Sequence, residues 1–509
     1  MGCQARLVFL GSLVGAGCST TFSPQPCAVD SDCGGDGLVC AVRAQESICV
    51  SAADDPLVIG MTAPISGVNQ ALGTGMKLGI DLAFKEQNDA GGIRGRRIEL
   101  LFRDDAYVPA AAEANARALV DVRESQAAPR CPTTAMSAVS GEAPISTTAL
   151  ERGPDAVLAF IGNVGTPTMV RTAPVAIETG TIFFGAFTGA STILRDDKAS
   201  SCKQFIFNVR ASYAQEARAT MDYFKARNVP DFRHMMSFDQ DDSFGQAGYD
   251  GLVAAYRLVF NNNPPLPAGT TPITRLRYTR NDNNSVPAQV AAAVSYLASP
   301  AVLGAGDTGV HHVGIMMTDT YGAASAFIKG LRDWQFANDA EQTSIQKATR
   351  LKLYFSNVSF VGPDALSENL VALGSVAMPG GGSLPYTDSV VVSQVVPNYQ
   401  SDASDVVTAY NRLITAGGHK AGFTSLEGYI SARIFIAGLD AHKGPFVPQT
   451  LAETLEKLPA VPLGFGASSG FSTMSHQYSN SVWGTIIQPS GSFKNLYFWT
   501  DGQAIQFFE

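Results

Sequence analysis

The chain has 509 residues, of which 45% are hydrophobic and 16% charged, so it can bury a large core and is not disordered over most of its length. Its 36 basic and 45 acidic residues give a net charge of −9, which excludes the basic surface that nucleic-acid binding needs. At about 150 residues per domain, the length suits three units or one two-lobed protein. Composition therefore favours an exported α/β protein.

The N-terminus has the pattern of a signal peptide. Arg6 precedes the apolar run Leu7–Val14, and small residues follow up to Cys18. The run is shorter than the roughly 20 residues that cross a bilayer, and no later stretch is long and apolar enough to do so. Gly15-Ala16-Gly17-Cys18 resembles a bacterial lipobox, although Leu or Val is usual where Gly15 stands; ordinary cleavage is the alternative. We predict a periplasmic or cell-envelope protein whose only membrane contact is a lipid on Cys18.

A cluster of four cysteines follows the signal, and it consists of Cys27, Cys33, Cys40 and Cys49. They lack the paired C-x-x-C spacing of a zinc site, which favours two disulfides that staple a small module. Their connectivity stays open. Cys131 and Cys202 stand alone, either bridged to each other or free. No metal site is predicted.

From Asp54 onward, short apolar strands alternate with amphipathic helices, which is typical of parallel sheets covered on both faces. The first series has strands at Leu57–Met61 and Ile98–Phe102, a helix around Met76–Phe84, a helix from Pro109, a strand and helix within 157–178, and a strand at Thr181–Phe184. The second series has strands at Phe205–Val209, Met235–Phe238, Val313–Met317 and Leu351–Phe355, with helices at Tyr213–Arg227 and Ala323–Arg332. After a predicted crossover at Val390–Val396 come helices at 403–416, 425–442 and 449–458, and a strand near 483–487.

These elements divide the chain into four parts. They are a lipoprotein signal peptide (1–17), a lipid-anchor linker with the four-cysteine module (18–53), lobe 1 (54–204 with 397–460), and lobe 2 with the C-terminal strands (205–396 with 461–509). Two α/β lobes joined by crossings leave a cleft, and ligands of such sheets sit outside the carboxyl ends of the strands.

Ten strings along the chain keep the order and spacing of a known family. They are Val58–Gly60, Ala63–Gly67, Gly75–Ala83, Asn88–Gly95, Asp104-Asp105, Gly162–Thr168, Phe207–Tyr213, Asp241–Gly245, Asn357–Gly362 and Ser425–Tyr429. They resemble the branched-chain amino-acid (Leu/Ile/Val) binding lipoproteins of ABC transporters over most of residues 56–491. The resemblance implies a type I periplasmic binding fold, with two Rossmann-like lobes, three hinge crossings and closure on a small ligand. It implies no cofactor.

The resemblance also implies the ligand-binding residues. In lobe 1 they are Ser66, Gly165, Thr166, Ala186 and Thr188, which follow the first, third and fourth strands. Hydroxyls and backbone N–H groups at helix N-termini suit a ligand carboxylate, because they bind an anion without a competing cation. In lobe 2, Tyr213, Phe244 and Tyr321 would close over the ligand, and Phe244 replaces a tyrosine that relatives often carry, which makes the wall more apolar.

The ammonium of the ligand needs a negative charge. Close relatives supply a carboxylate where this chain has Asn357, so we predict that Asp319 supplies the charge, with Glu427 as a substitute. If neither reaches the cleft, the ligand lacks an ammonium, because a buried unpaired ammonium is costly. The structural alternatives are helix capping by the Ser and Thr residues and core packing by the aromatic residues.

No enzyme is predicted. Gly466–Gly470 matches the string G-x-S-x-G of a nucleophile elbow, with Ser468 as its serine, but no helix signal follows it. The six histidines have no clear catalytic companion. We therefore predict a lipoprotein that captures a small polar ligand, an amino acid or derivative, and delivers it to an ABC permease. A ligand-sensing or surface-display lipoprotein with the same fold is the alternative.

Overall fold

The computed structural model describes residues 25–35, 37–43, 46–128, 149–191, 204–227, 234–260, 273–303, 308–464 and 469–508. The predicted signal peptide and lipidation site at Cys18 lie outside these residues, and so do Cys131 and Cys202. Within the described ranges, no helix combines the length and the apolar character that a membrane span requires.

A disulfide-bonded module begins the described chain. Strands β1 (Leu38–Arg43) and β2 (Glu46–Ser51) pair antiparallel. Disulfides join Cys27 to Cys40 and Cys33 to Cys49. The prediction of two disulfides is therefore confirmed, and the structure supplies the connectivity that the spacing left open.

The module is attached to the body of the protein through Arg94. This guanidinium forms an ion pair with Asp30 of the module, with 2.7 Å between Nη1 and Oδ2. It also donates to the carbonyl oxygen of Gly444 at 3.1 Å and lies over the ring of Phe446, 4.2 Å from the centroid. One side chain thus fastens the module to two loops of lobe 1.

Removing a disulfide should loosen the module. The Cys33–Cys49 bridge has a sequence separation of 16, and closing a loop of that size is worth about 3 kcal/mol. We expect Cys33→Ser with Cys49→Ser to accelerate trypsin cleavage after Arg43 by about a hundredfold, provided that cleavage follows the opening equilibrium. Reduced wild-type protein is the matched control and should be cleaved at least as fast. An unchanged cleavage rate in the double variant would show that other contacts hold the module.

The sheet of lobe 1 is parallel and has the order β4-β3-β7-β8-β9. Its strands are β3 (Leu57–Ala63), β4 (Ile98–Asp104), β7 (Ala159–Ile161), β8 (Ile182–Phe184) and β9 (Ile206–Phe207). A small ladder beside it pairs β5 (Arg123–Glu124) with β6 (Leu150–Glu151). The predicted strands of the first series are confirmed.

The sheet of lobe 2 is mixed and has the order β11-β10-β12-β13-β16-β17-β18-β19. Its strands are β10 (His234–Gln240), β11 (Ile273–Tyr278), β12 (His311–Thr318), β13 (Leu351–Asn357), β16 (Val390–Gln394), β17 (Ser481–Ile487), β18 (Phe493–Thr500) and β19 (Gln506–Phe507). The first five in spatial order are parallel, and the others pair antiparallel. A separate ladder pairs β14 (Ser375–Ala377) with β15 (Ser383–Pro385).

Helices cover the sheets. They are α1 (Gln70–Asp89), α2 (Pro109–Leu119), α3 (Thr166–Thr179), α4 (Tyr213–Ala226), α5 (Ser243–Phe260), α6 (Val286–Leu297), α7 (Tyr321–Phe336), α8 (Ala340–Ile345), α9 (Lys347–Arg350), α10 (Pro363–Leu373), α11 (Asp405–Ala416), α12 (Phe423–Ala441) and α13 (Pro448–Glu456). Pro109 occupies the first position of its helix, where its missing N–H costs nothing. Helices α1 and α12 pack closely because Gly79 has no side chain: a Cβ there would lie 1.9 Å from the carbonyl oxygen of Ser425.

The chain crosses between the lobes after β9, after β16 and after α13. Val390–Gln394, predicted as part of a crossover, is a strand of lobe 2, and the crossing follows it. The first and third crossings run side by side, since the N–H of Asn208 donates to His476 and the N–H of Tyr478 donates to Asn208. The imidazole of His476 also stacks on Phe207, with centroids 4.1 Å apart. The predicted two-lobed α/β fold with hinge crossings is confirmed.

Candidate functional site

The candidate site is the cleft where the carboxyl ends of both sheets face each other. The lobes touch across this cleft. The Tyr321 hydroxyl, at the start of α7 in lobe 2, donates to the carbonyl oxygen of Val68 in lobe 1 at 2.5 Å. Asn69 Nδ2 donates to Asn281 Oδ1 at 2.8 Å, also between lobes. The two lobes are therefore in direct contact across the cleft.

Three predicted ligand contacts come together in this cleft. The hydroxyls of Thr166 and Thr188 are 2.7 Å apart, and the Thr188 hydroxyl lies 3.3 Å from the Tyr213 hydroxyl. Thr166 begins α3, so the N-terminus of a helix, the end at which backbone N–H groups have no partner within the helix, adjoins the two hydroxyls. Since Tyr213 belongs to lobe 2, a hydroxyl chain joins the lobes at the position predicted for the carboxylate.

The other predicted residues of lobe 1 lie around this hydroxyl chain in different ways. Gly165 has φ of 95°, and a Cβ there would lie 2.2 Å from the ring of Tyr107, so only glycine fits. The Ala186 side chain belongs to an apolar cluster of lobe 1, so a ligand contact would use its backbone. Ser66 is exposed, and its hydroxyl donates to the carboxylate of Asp104. Burial by itself raises the pKa of Asp104, but this bond and those from neighbouring backbone N–H groups outweigh burial, so the pKa is lowered.

An aromatic cluster spans the interface between the lobes. The ring of Phe360, from lobe 2, lies 4.6 Å from Phe244 and 5.0 Å from Phe187, centroid to centroid, and 6.2 Å from Tyr107. Phe187 and Tyr107 belong to lobe 1. Tyr213 also packs on Phe244 at 5.3 Å. Two predicted lid residues are thus part of an apolar wall that both lobes build.

The predicted ammonium site has two buried oxygens that lack donors. Asp319 is 0% exposed, and its Oδ1 accepts a 2.8 Å hydrogen bond from Asn357 Nδ2. No described residue donates to Asp319 Oδ2 or to Asn357 Oδ1. Burial raises the pKa of Asp319 well above its usual range, the bond from Asn357 opposes this rise, and the charge of Asp239 adds to it. The pair therefore presents two acceptors to a group that carries several N–H donors.

Polar contacts connect this pair to lobe 1. Burial, followed by the charge of Asp319, raises the pKa of Tyr278, whose hydroxyl donates to Gln240 Oε1 at 3.1 Å. Gln240 Nε2 in turn donates to the Tyr107 hydroxyl of lobe 1 at 3.4 Å. Tyr278 and Gln240 thus link the surroundings of Asp319 to lobe 1.

A buried arginine lies at the first hinge crossing. Arg210 is 1% exposed, and its Nη2 lies 3.0 Å from Glu216 Oε1 of lobe 2. Its Nη1 lies 3.4 Å from Glu427 Oε1 of lobe 1. Glu216 also accepts from the backbone N–H of Ser359 at 2.7 Å. Because Glu427 is paired with Arg210, its charge is already compensated, and it is a poor substitute for Asp319.

Sequence reasoning missed several residues of the cleft, which are Tyr107, Phe187, Arg210, Gln240 and Phe360. A positional signal existed for two of them. Phe187 lies between two predicted contacts, and Tyr107 follows the Asp104-Asp105 string at the carboxyl end of β4. The serine of the G-x-S-x-G string, Ser468, lies outside the part of the chain that the structure describes.

An open cavity of about 300 Å³ lies elsewhere, between α1 of lobe 1 and α10 of lobe 2, with Gly75, Leu78 and Asp364 among its walls. None of the predicted ligand-binding residues lines it. Since the cleft itself is closed over the aromatic cluster, its buried polar groups identify the candidate site better than an open volume does.

Comparison with known sequences gives matches to solute-binding proteins. Residues 56–143 match the periplasmic binding protein family. A Leu/Ile/Val-binding protein homolog of Brucella melitensis is 42% identical over 59 residues, which are 12% of this chain and 16% of that relative. The alignment therefore spans about a sixth of that relative's length.

Solved structures match over most of the chain. A possible leucine/isoleucine/valine-binding protein from Rhodopirellula baltica is 27% identical, with a TM-score of 0.65 over 88% of this chain and 98% of that one. The branched-chain amino acid transporter substrate-binding protein LivJ of Streptococcus pneumoniae, solved with isoleucine, is 12% identical, with a TM-score of 0.58 over 89% and 99%. These relatives are solute-binding proteins. The chain therefore has the type I periplasmic binding protein fold and is similar to the leucine/isoleucine/valine-binding proteins that share it.

Proposed function

We propose that this protein is an extracytoplasmic lipoprotein that binds an amino acid, or a derivative with a free ammonium, and delivers it to an ABC permease. The observation that carries the proposal is the pair of buried acceptor oxygens on Asp319 and Asn357. An ammonium has three N–H donors and a positive charge, and both oxygens would gain a partner from it. A ligand without this group would leave them unpaired in the closed protein, at a cost of about 1–3 kcal/mol for each oxygen.

The opposite end of such a ligand has a matching site in lobe 1. The hydroxyls of Thr166 and Thr188, with the N-terminus of α3, would bind the carboxylate. The cluster around Phe360 would contact the apolar side chain. The ligand would thus bind lobe 1 first, and lobe 2 would close because Tyr213 and Asp319 gain contacts only in the closed form.

A pair of isosteric ligands tests this proposal. We expect L-leucine to raise the melting temperature of the ligand-stripped protein by several degrees at saturation, since binding to the native state alone adds about 2.7 kcal/mol at a hundredfold excess over Kd. The control is 2-hydroxy-4-methylpentanoate, in which a hydroxyl replaces the amine, and it should give no shift. Other L-amino acids and their hydroxy acids extend the screen in pairs. Equal stabilisation by the two members of every pair would contradict the ammonium assignment.

A further inference from the structure

A second cavity lies at the end of lobe 1 that is remote from the cleft. It measures about 910 Å³ and lies at the amino ends of β3 and β7, between lobe 1 and the disulfide module. Three of the residues that line it are arginines, namely Arg43, Arg96 and Arg152. Nothing in the proposed function uses this cavity.

Arg96 carries donors that lack acceptors. It is 1% exposed, and its Nη2 pairs with Asp55 Oδ2 at 2.6 Å and donates to the carbonyl oxygen of Cys40 at 3.1 Å. Its Nε and Nη1 are buried and have no hydrogen-bond partner among the described residues. Buried N–H groups of this kind are rare in folded proteins because leaving them unpaired is costly.

Arg152 lacks a negative partner. Its guanidinium donates to the Thr181 hydroxyl at 3.0 Å and to the carbonyl oxygen of Ala156 at 3.2 Å, and both acceptors are neutral. No ion pair joins Arg152 to a carboxylate within the described ranges. Burial lowers the pKa of Arg152 to about 10.

The cavity as a whole has an excess of positive charge. Asp55 is shared between Arg96 and Arg43, so one carboxylate serves two guanidinium groups. The remaining acidic residue of the lining, Asp155, is exposed at the rim. Two lining carboxylates therefore face three arginines, and the buried part of the cavity holds more cationic than anionic groups.

We propose that this cavity binds a phosphate-bearing anion. Guanidinium groups donate two parallel hydrogen bonds to a phosphate. Arg152, whose acceptors are neutral, lines the cavity beside Arg43, and the buried charge of Arg96 adds to the positive potential there. Pro56, Leu57 and Phe446 also line the cavity and offer apolar surface to the rest of the molecule. A soluble phosphate compound and the headgroup of an anionic phospholipid both present this group. The site is independent of the cleft and of the ligand proposed there.

Calorimetric titration with inorganic phosphate at constant ionic strength tests the shared chemistry. We expect saturable binding to the mature chain and a loss of at least about tenfold in affinity in Arg152→Gln. Arg412→Gln is the matched control: it removes the same charge from an exposed position on α11 of lobe 1 and should bind as the wild type does. If Arg152→Gln does not fold by circular dichroism, Arg43→Gln, a half-exposed residue of the same cavity, should still weaken binding about threefold.

A vesicle arm separates the two sources of phosphate. A Cys18→Ser chain, which has no lipid of its own, is sedimented with phosphatidylcholine vesicles with and without phosphatidylglycerol. Binding that needs phosphatidylglycerol and is lost in Arg152→Gln supports a headgroup, and phosphate binding without vesicle binding supports a soluble compound. The proposal is overturned if phosphate does not saturate the protein by about 10 mM and vesicles do not bind, or if Arg412→Gln loses as much affinity as Arg152→Gln.

Discussion

Replacement of Arg210 by methionine should cost the fold about 3–5 kcal/mol, because it leaves two buried carboxylates without the positive charge that compensates them. Glu216 is 0% exposed and Glu427 is 4% exposed, so neither can be solvated without opening the hinge. They belong to different lobes, and the variant should therefore loosen the contact between the lobes. The midpoint of urea unfolding, followed by circular dichroism, measures the loss.

Two further variants show whether charge is the cause. The first is a triple variant that combines Arg210→Met with Glu216→Gln and Glu427→Gln. It should recover most of the lost stability, since the buried charges are then gone. Arg412→Met breaks an exposed ion pair with Glu86 and should cost no more than about 1 kcal/mol. A loss in Arg210→Met as small as in Arg412→Met would show that the buried pairing contributes little.

Replacement of Asp319 by asparagine should weaken amino-acid binding about a hundredfold or more while making the ligand-free protein more stable at neutral pH. Losing the buried partner of an ammonium costs about 2–5 kcal/mol of binding free energy. The stability change follows from the raised pKa of Asp319, which burial causes. The folded wild-type protein keeps the proton on Asp319 to a higher pH than the unfolded chain does. Its free energy of unfolding therefore falls as the pH rises from about 3.9 towards the folded pKa, by about 1.4 kcal/mol per pH unit.

Calorimetry with L-leucine, or with whichever amino acid stabilises the protein, measures the affinity, and urea midpoints between acidic and alkaline pH measure the stability. The stability advantage of Asp319→Asn should grow with pH above about 4 and become constant above the folded pKa. Asp241→Asn is the matched control, because Asp241 is exposed and pairs with Arg277 at the surface; both quantities should stay within about 0.5 kcal/mol of wild type. Full affinity in Asp319→Asn would remove the proposed ammonium site.

The sequence predicts the elements whose pattern is local. Buried strands such as Leu57–Ala63 are continuous apolar runs, and these were found within a few residues of their ends. Strand Ile273–Tyr278 was missed because it lies at a sheet edge and contains two arginines, so its apolar content is low. Helix Ser243–Phe260 was missed because glycines interrupt its first turns.

The sequence predicts only those parts of the site that follow from the order of the strands. Loops after parallel strands meet at one edge, which brought Thr166 near Thr188. The pairing of Arg210 with Glu427, and the insertion of Phe360 between the lobes, depend on how the lobes close, and no local pattern encodes that. No local pattern encodes the disulfide connectivity either. Cys40 and Cys49 face each other on paired strands, yet each is bonded to a cysteine outside the hairpin.

The attachment of the module through Arg94 has a mechanical consequence. Since Arg94 binds both Asp30 and Gly444, the N-terminal module is held against lobe 1. If a lipid holds the N-terminus of the chain at the membrane, as proposed above, lobe 1 would keep its position and lobe 2 would rotate about the hinge. Closure on a ligand would then change the position of lobe 2 relative to the membrane more than that of lobe 1.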